Sequence, residues 1–244
     1  MEQFFTKDYT GAPFGFFGAP HLAVMVILLL VNFSLPRMSG KPRAQKAFRY
    51  SLAIMLLVNE LAWHVWNAAV GQWTLQTMLP LHLCSVLVWT TAAMLLTENY
   101  RIYEFIYLMG IGGALQAVLT PDLGIYGFPH FRFFQTFISH GGIITAAVFM
   151  TVVEGLRPYW RSILRVFVAT NIYMVVVFVI NLLLGSNYLF IMRPPETPSL
   201  IDALGPWPWY LLSLEVIGVL TCLVLYLPFA LKDWRAARQV QAAA

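Results

Sequence analysis

Apolar positions in this chain neither alternate along strands nor keep to one stripe of a helix; they fill long runs. Seven runs approach the roughly 20 apolar residues that a membrane-crossing helix needs. They cover about residues 19–36, 50–70, 77–97, 102–120, 132–153, 163–184 and 207–231. The fourth is the least continuous, with Glu104, Gln116 and three glycines inside it. Pro36, Pro121, Gly185 and Pro206 punctuate the ends, as helix stops should. The longest connection, about 185–206, is rich in proline, and nothing suggests a second domain. The pattern predicts an all-α polytopic membrane protein, with residues 1–244 forming one bundle of seven transmembrane helices.

Composition agrees. Of 244 residues, 59% are hydrophobic and 11% charged, with a mean hydropathy of +0.71. Soluble domains cover their surfaces with roughly 25% charged residues. The first twenty residues lack the basic start, short apolar core and small-residue cleavage site of a signal peptide, and read as retained. The net charge of +4 raises nucleic acid as a partner, but the positions of the basic residues explain it otherwise. Twelve of the Lys and Arg residues fall in alternate connections and the C-terminal tail; only Lys7, Arg132 and Arg193 fall on the other side. By the positive-inside rule the N-terminus lies outside and the C-terminus in the cytoplasm. Trp66, Trp73, Trp207 and Trp209 near predicted outer ends, with Trp160 and Trp234 near inner ones, form the expected interfacial belts.

Ionisable groups inside a bilayer are costly and usually face the bundle interior. At 1.5 Å per residue, Cys84, His140, Glu215, His64, Glu60, Asn181 and Gln116 all lie roughly 5–15 Å below the outer surface. The cytoplasmic halves hold little besides Glu104. Interhelical hydrogen bonds that merely pack a bundle are the plainer explanation for any one Asn or Gln. A layer with His, Glu and Cys together asks for more. Glu60 and His64 are i, i+4 and share a face, either as a simple pair or as a carboxylate orienting an imidazole. His82 and Cys84 are i, i+2 on a helix and face different neighbours, so a base for Cys84 comes from another span. His140 sits at matching depth and is followed by Gly141 and Gly142, which allow close approach. Cys222, in featureless LTCLVL, reads as an apolar filler; Cys84 opposite His140 is a candidate thiolate nucleophile. Two separated cysteines make neither a disulfide framework nor a structural zinc site.

Four stretches carry a family resemblance: LPLHLC at 79–84, FFQTFISHGG at 133–142, SNYLFIMRPP at 186–195 and LGPWPWY at 204–210. In them the chain resembles the YwaF-like bacterial integral membrane proteins and their eukaryotic transmembrane acyltransferase relatives. The resemblance implies transfer of acyl chains onto lysophospholipids through a Cys thioester, with Cys84 as nucleophile and His140 as its partner. A phospholipid's esters lie just below its head groups, the depth assigned to Cys84. His82, Asn59, Gln116 or the Glu60–His64 pair are the candidates for orienting the base or holding the oxyanion, with Glu215 in the same layer. The expected partners are phospholipid and lysophospholipid in a bacterial plasma membrane, with no nucleic acid, cofactor or metal. The same residues admit other readings: an esterase using the same pair, a lipid-binding or transport protein, a zinc site from His64, His82, His140 and Cys84, and a retinal photoreceptor. Transport lacks a polar route through the cytoplasmic half. Zinc lacks a His pair on one helix. A retinal photoreceptor lacks a lysine between Trp207 and Ala230.

Overall fold

The computed structural model describes residues 3–196 and 200–243, and among these it is all-helical, with no strand. Seven helical rods follow in order: α1 (Ala19–Ser34), α2 (Pro42–Ala69), α3 (Leu83–Thr97), α4 (Tyr100–Leu119), α5 (Phe131–Val152), α6 (Trp160–Leu184) and α7 (Trp209–Ala243). Six are long and apolar enough to cross a membrane; α3, at 15 residues, is shorter.

Local chemistry sets the ends. Pro20 and Pro42 sit in the first turns of α1 and α2, where the missing N–H costs nothing. The Asn99 side chain caps α4 by accepting from the N–H groups of Arg101 (2.8 Å) and Ile102 (3.3 Å). His130 caps α5 by accepting from Arg132 N–H at 3.1 Å. Gly185, at φ 64, ends α6 in the left-handed conformation that glycine adopts without strain. Within α4, residues Ile106–Gly110 form a π-helical turn, and Gly110 there faces Ile143 of α5 and Leu87 of α3.

Helix α5 is the axis of the bundle, the most buried of the spans, while α1, α6 and α7 present most of their surface outward. Gly141 and Gly142 explain how neighbours reach it. A Cβ on Gly141 would meet Leu28 of α1, and one on Gly142 would stand 2.7 Å from Leu56 Cδ2 of α2. The glycine pair therefore admits Leu28 of α1 and Leu56 of α2, and it borders an apolar hollow of about 450 Å³ between α1, α2 and α5. Gly142→Val is expected to destabilise the fold by about 1–3 kcal/mol, the usual range for overpacking a fitted contact. A lowered midpoint of thermal unfolding in detergent, with Gly185→Asn as a mild control, checks this.

Ion pairs gather at the end of the bundle away from the start of α3. Glu104, on α4, is engaged by Arg165, Arg101 and the Ser162 hydroxyl. Arg49 pairs with Glu98 and lies 3.6 Å from Glu154, and Arg157 holds Asp233 with two bonds. These pairs neutralise charges that would otherwise be expensive to hold beside lipid.

Two expectations change here. Trp66 is buried rather than lipid-facing; its indole N–H donates to the Phe5 carbonyl at 2.7 Å, and its ring packs against Tyr126, His130 and Phe131. The N-terminal segment is thus laid across the bundle, and His130 Nε2 binds the Thr6 carbonyl at 2.9 Å. The third run does not form a helix from residue 77. The backbone through His82 is extended and turned, and helix begins only at Leu83.

Candidate functional site

That late start decides the site. Residues 75–81 are held by two tyrosines distant in sequence. Tyr188 OH donates to the Leu75 carbonyl (2.7 Å) and accepts from Leu79 N–H (2.8 Å), while Tyr173 OH donates to the Leu81 carbonyl at 2.7 Å. His82 is the N-cap of α3, its imidazole packed on Tyr188 and Phe190 with ring centroids 5.1 Å away in each case. Cys84 therefore lies in the first turn of α3, not seven residues into a helix, and His82, with extended backbone, is not a helical position two residues before it. The first N–H groups of a helix lack intrahelical acceptors and favour negative charge, and the unwinding places Cys84 beside those groups.

Loss of the tyrosine anchor is expected to show in this position. Tyr188→Phe removes both bonds to the 75–79 strap, a cost of about 1–2 kcal/mol. Faster alkylation of Cys84 by a membrane-permeant maleimide, with the helical circular dichroism kept, would report the loosened strap.

Two hollows meet at His82 and Cys84, which line both. One, of 310 Å³, is polar. Its walls are Glu60, Trp63 and His64 from α2, Thr77, Met78, Leu79 and His82 ahead of α3, Cys84 and Ser85 from α3, Asp122, and Arg132, Gln135, Thr136, Ser139 and His140 from α5. The other, of 340 Å³, is mainly apolar, with Leu83, Met109, Ile163, Val166, Met174, Leu211 and Cys222 among its lining. Cys84 is accessible and not sealed in the core. Cys222 is a buried side chain of that apolar wall, in keeping with a filler.

His140 has a defined proton arrangement. Its Nδ1 lies 2.8 Å from the Thr136 carbonyl, which only accepts, so the neutral ring carries its proton on Nδ1. Nε2 is buried and has no hydrogen-bond partner among the described residues. An unpartnered imidazole lone pair inside the polar hollow is a proton acceptor waiting for a donor. Glu60 and His64 do share a face: Nε2 of His64 lies 3.8 Å from Glu60 Oε1, and its Nδ1 accepts from the Trp73 indole at 3.1 Å. Ser85, one residue after Cys84, lines the same hollow as Glu60.

Other members of the expected polar layer are not in it. Asn59 donates to the Gln135 carbonyl (3.0 Å) and the Ser139 hydroxyl (2.8 Å), pinning α2 to α5 outside the hollow's lining. Gln116 is exposed and turned to Thr120, the residue that caps the end of its own helix, at 2.6 Å. Asn181 holds Ser186 and Tyr188, and so supports the strap indirectly. Glu215 lines the apolar hollow, where Asn171 donates to it at 3.3 Å. Neither Asn59 nor Gln116 is placed to hold an oxyanion at Cys84, because both are committed elsewhere. Sequence reasoning missed Arg132, Trp63, Ser85 and Asp122. Arg132 had been counted as a loop charge for topology, although it opens α5; its stacking on Trp63 at 3.8 Å has no local signature. Among the described residues no group of three His, Cys, Asp or Glu side chains is arranged to hold a metal ion.

Three of the four resemblance stretches converge here. LPLHLC supplies the strap and thiol, FFQTFISHGG the opposite wall, and SNYLFIMRPP the tyrosine and phenylalanine behind His82. LGPWPWY braces the last of these, through Trp207 N–H to the Ile191 carbonyl (3.0 Å) and Tyr210 OH to the Phe190 carbonyl. Six helices long and apolar enough to cross a bilayer define a multi-pass membrane protein. The chain belongs to the TMEM164 family, a family of transmembrane proteins whose model matches residues 16–226. No curated protein and no solved structure matches it.

Proposed function

We propose that this protein is an intramembrane acyltransferase that moves a fatty acyl chain between phospholipid and lysophospholipid through a thioester on Cys84. The observation that carries the reading is the unpartnered Nε2 of His140 in the hollow that Cys84 also lines. In the reaction, the Cys84 thiol gives its proton to His140 Nε2 as sulfur attacks the ester carbonyl carbon. The oxyanion collapses, the C–O bond breaks, and the lysolipid oxygen takes the proton from His140. A second lysolipid hydroxyl, deprotonated by His140, then attacks the thioester and releases the thiol. The first N–H groups of α3 are the natural oxyanion donors. The paired hollows suit the substrate: glycerol and head group on the polar side, acyl chain on the apolar side, and the ester at Cys84 between them.

Hydrolysis by the same pair is the second reading, favoured by polar walls that admit water as the acceptor. In both, the seven rods cross the membrane with the N-terminus outside and the C-terminus cytoplasmic, and the YwaF-like resemblance points to a bacterial plasma membrane. Mass spectrometry of the purified protein after incubation with phosphatidylcholine tests the chemistry. The expected result is an acyl mass on the peptide holding Cys84, cleared by lysophosphatidylcholine with return of the diacyl lipid. Clearance by water alone selects hydrolysis; an unmodified peptide with no lysolipid formed sinks both.

A further inference from the structure

We infer that Arg132 is the anchor for the phosphodiester of the lipid, and that it selects phospholipids over neutral glycerolipids. This rests on the proposed lipid reading of the same site and names the group that recognises the substrate class.

The guanidinium carbon of Arg132 lies over Trp63, 3.8 Å from the ring centroid, and one nitrogen donates to the Gln135 side chain. The ring and the amide thereby hold the group in place, and it borders the polar hollow. The other arginines near the ends of the spans that enter the bundle's polar contacts, Arg49, Arg101, Arg157 and Arg165, each pair with a carboxylate. Arg132 makes no ion pair among the described residues. Glu60 lies 3.8 Å from His64 Nε2, and it acts on Arg132 through its charge, as Asp122 does. A cation inside protein at the membrane boundary is costly unless an anion meets it. A planar guanidinium is the side chain best shaped to grip a phosphate with two parallel bonds.

Position agrees with this. Arg132 precedes His140 by eight residues, roughly 12 Å along the helix, and its side chain spans part of that distance. A lipid with its ester between Cys84 and His140 would hold its phosphate outward, on the Arg132 side. A diacylglycerol could place the same ester but would leave the guanidinium unmatched, the situation in which a polar site discriminates most strongly.

The test is binding, measured without turnover. Cys84→Ala protein in detergent is given radiolabelled phosphatidylcholine or the diacylglycerol with identical chains, with inorganic phosphate as competitor. Phosphatidylcholine should bind about tenfold or more tightly than diacylglycerol, the effect of one charge-assisted contact. Arg132→Gln should abolish that preference while leaving diacylglycerol retention unchanged, which also reports an intact fold. Arg132→Lys, the variant to use should glutamine impair folding, keeps charge without the fork and should lose part of the preference. Displacement of the lipid by millimolar phosphate, dependent on Arg132, would show that the free anion suffices; an Arg132-dependent preference without displacement would assign the phosphate to the lipid. A preference that survives Arg132→Gln, or no preference at all, overturns the proposal. Because the thiol is absent, an inactive enzyme would not overturn it, and an active one would not rescue it.

Discussion

Cys84→Ala is expected to lower acyl transfer by about 10³-fold or more and to abolish the covalent adduct, while the protein still folds. The rate loss follows from covalent catalysis: without the sulfur there is no two-step path, and what remains is orientation of the bound lipid. Folding should survive because Cys84 borders the hollows and does not fill the core. Substitutions at such positions usually fall within about 0.5 kcal/mol. Cys84→Ser sharpens the experiment. It keeps the shape and the helix-start position but supplies a hydroxyl that ionises far less readily than a thiol. A loss close to that of alanine assigns the effect to sulfur chemistry; retention of more than about a tenth of the activity in either variant would remove the thioester from the mechanism. Labelled acyl transfer between two lipids in nanodiscs, beside a melting curve, gives both numbers.

His140→Ala is expected to cost about 10²–10⁴-fold in kcat, the usual contribution of a positioned acid–base group, with KM changed little. The imidazole's proton on Nδ1 is fixed by the Thr136 carbonyl at 2.8 Å, so Nε2 is the working nitrogen. His140→Gln keeps a hydrogen-bonding side chain but no proton acceptor of comparable basicity, and should be nearly as slow as alanine. The pH profile separates a base from a packing residue. In the alanine variant the thiol must ionise unaided, so its rate should keep climbing as pH rises, because only the thiolate attacks. The wild-type rate should level off once the imidazole is neutral. Parallel profiles for the two proteins would mean that His140 merely fills space.

The helical bundle was legible in the chain because run length is a local property. Six of the seven predicted runs coincide with long apolar helices, and even the least continuous, with its Glu104 and three glycines, forms Tyr100–Leu119. Cys84 and His140 were also legible as candidates, since a thiol and an imidazole inside apolar runs stand out without any coordinates. What depth-counting got wrong was each residue's company. Gln116 sits at a plausible level yet turns to Thr120, and Asn59 is spent on Gln135 and Ser139. Depth gives height along a helix; it does not give the direction a side chain faces once its neighbours are packed.

Sequence alone determined that this chain needs lipid around it, that it is helical, and which few residues have chemistry to offer. These follow from composition and from runs of about 20 residues, which neighbours in sequence are enough to fix. Only the tertiary structure decided where α3 begins, and with it the position of Cys84 between two hollows. The carbonyls of Leu75 and Leu81 are bound by Tyr188 and Tyr173, which lie 113 and 92 residues away in the chain. Backbone groups taken by such distant partners have less to gain from joining a helix, and no pattern within residues 77–97 could announce that.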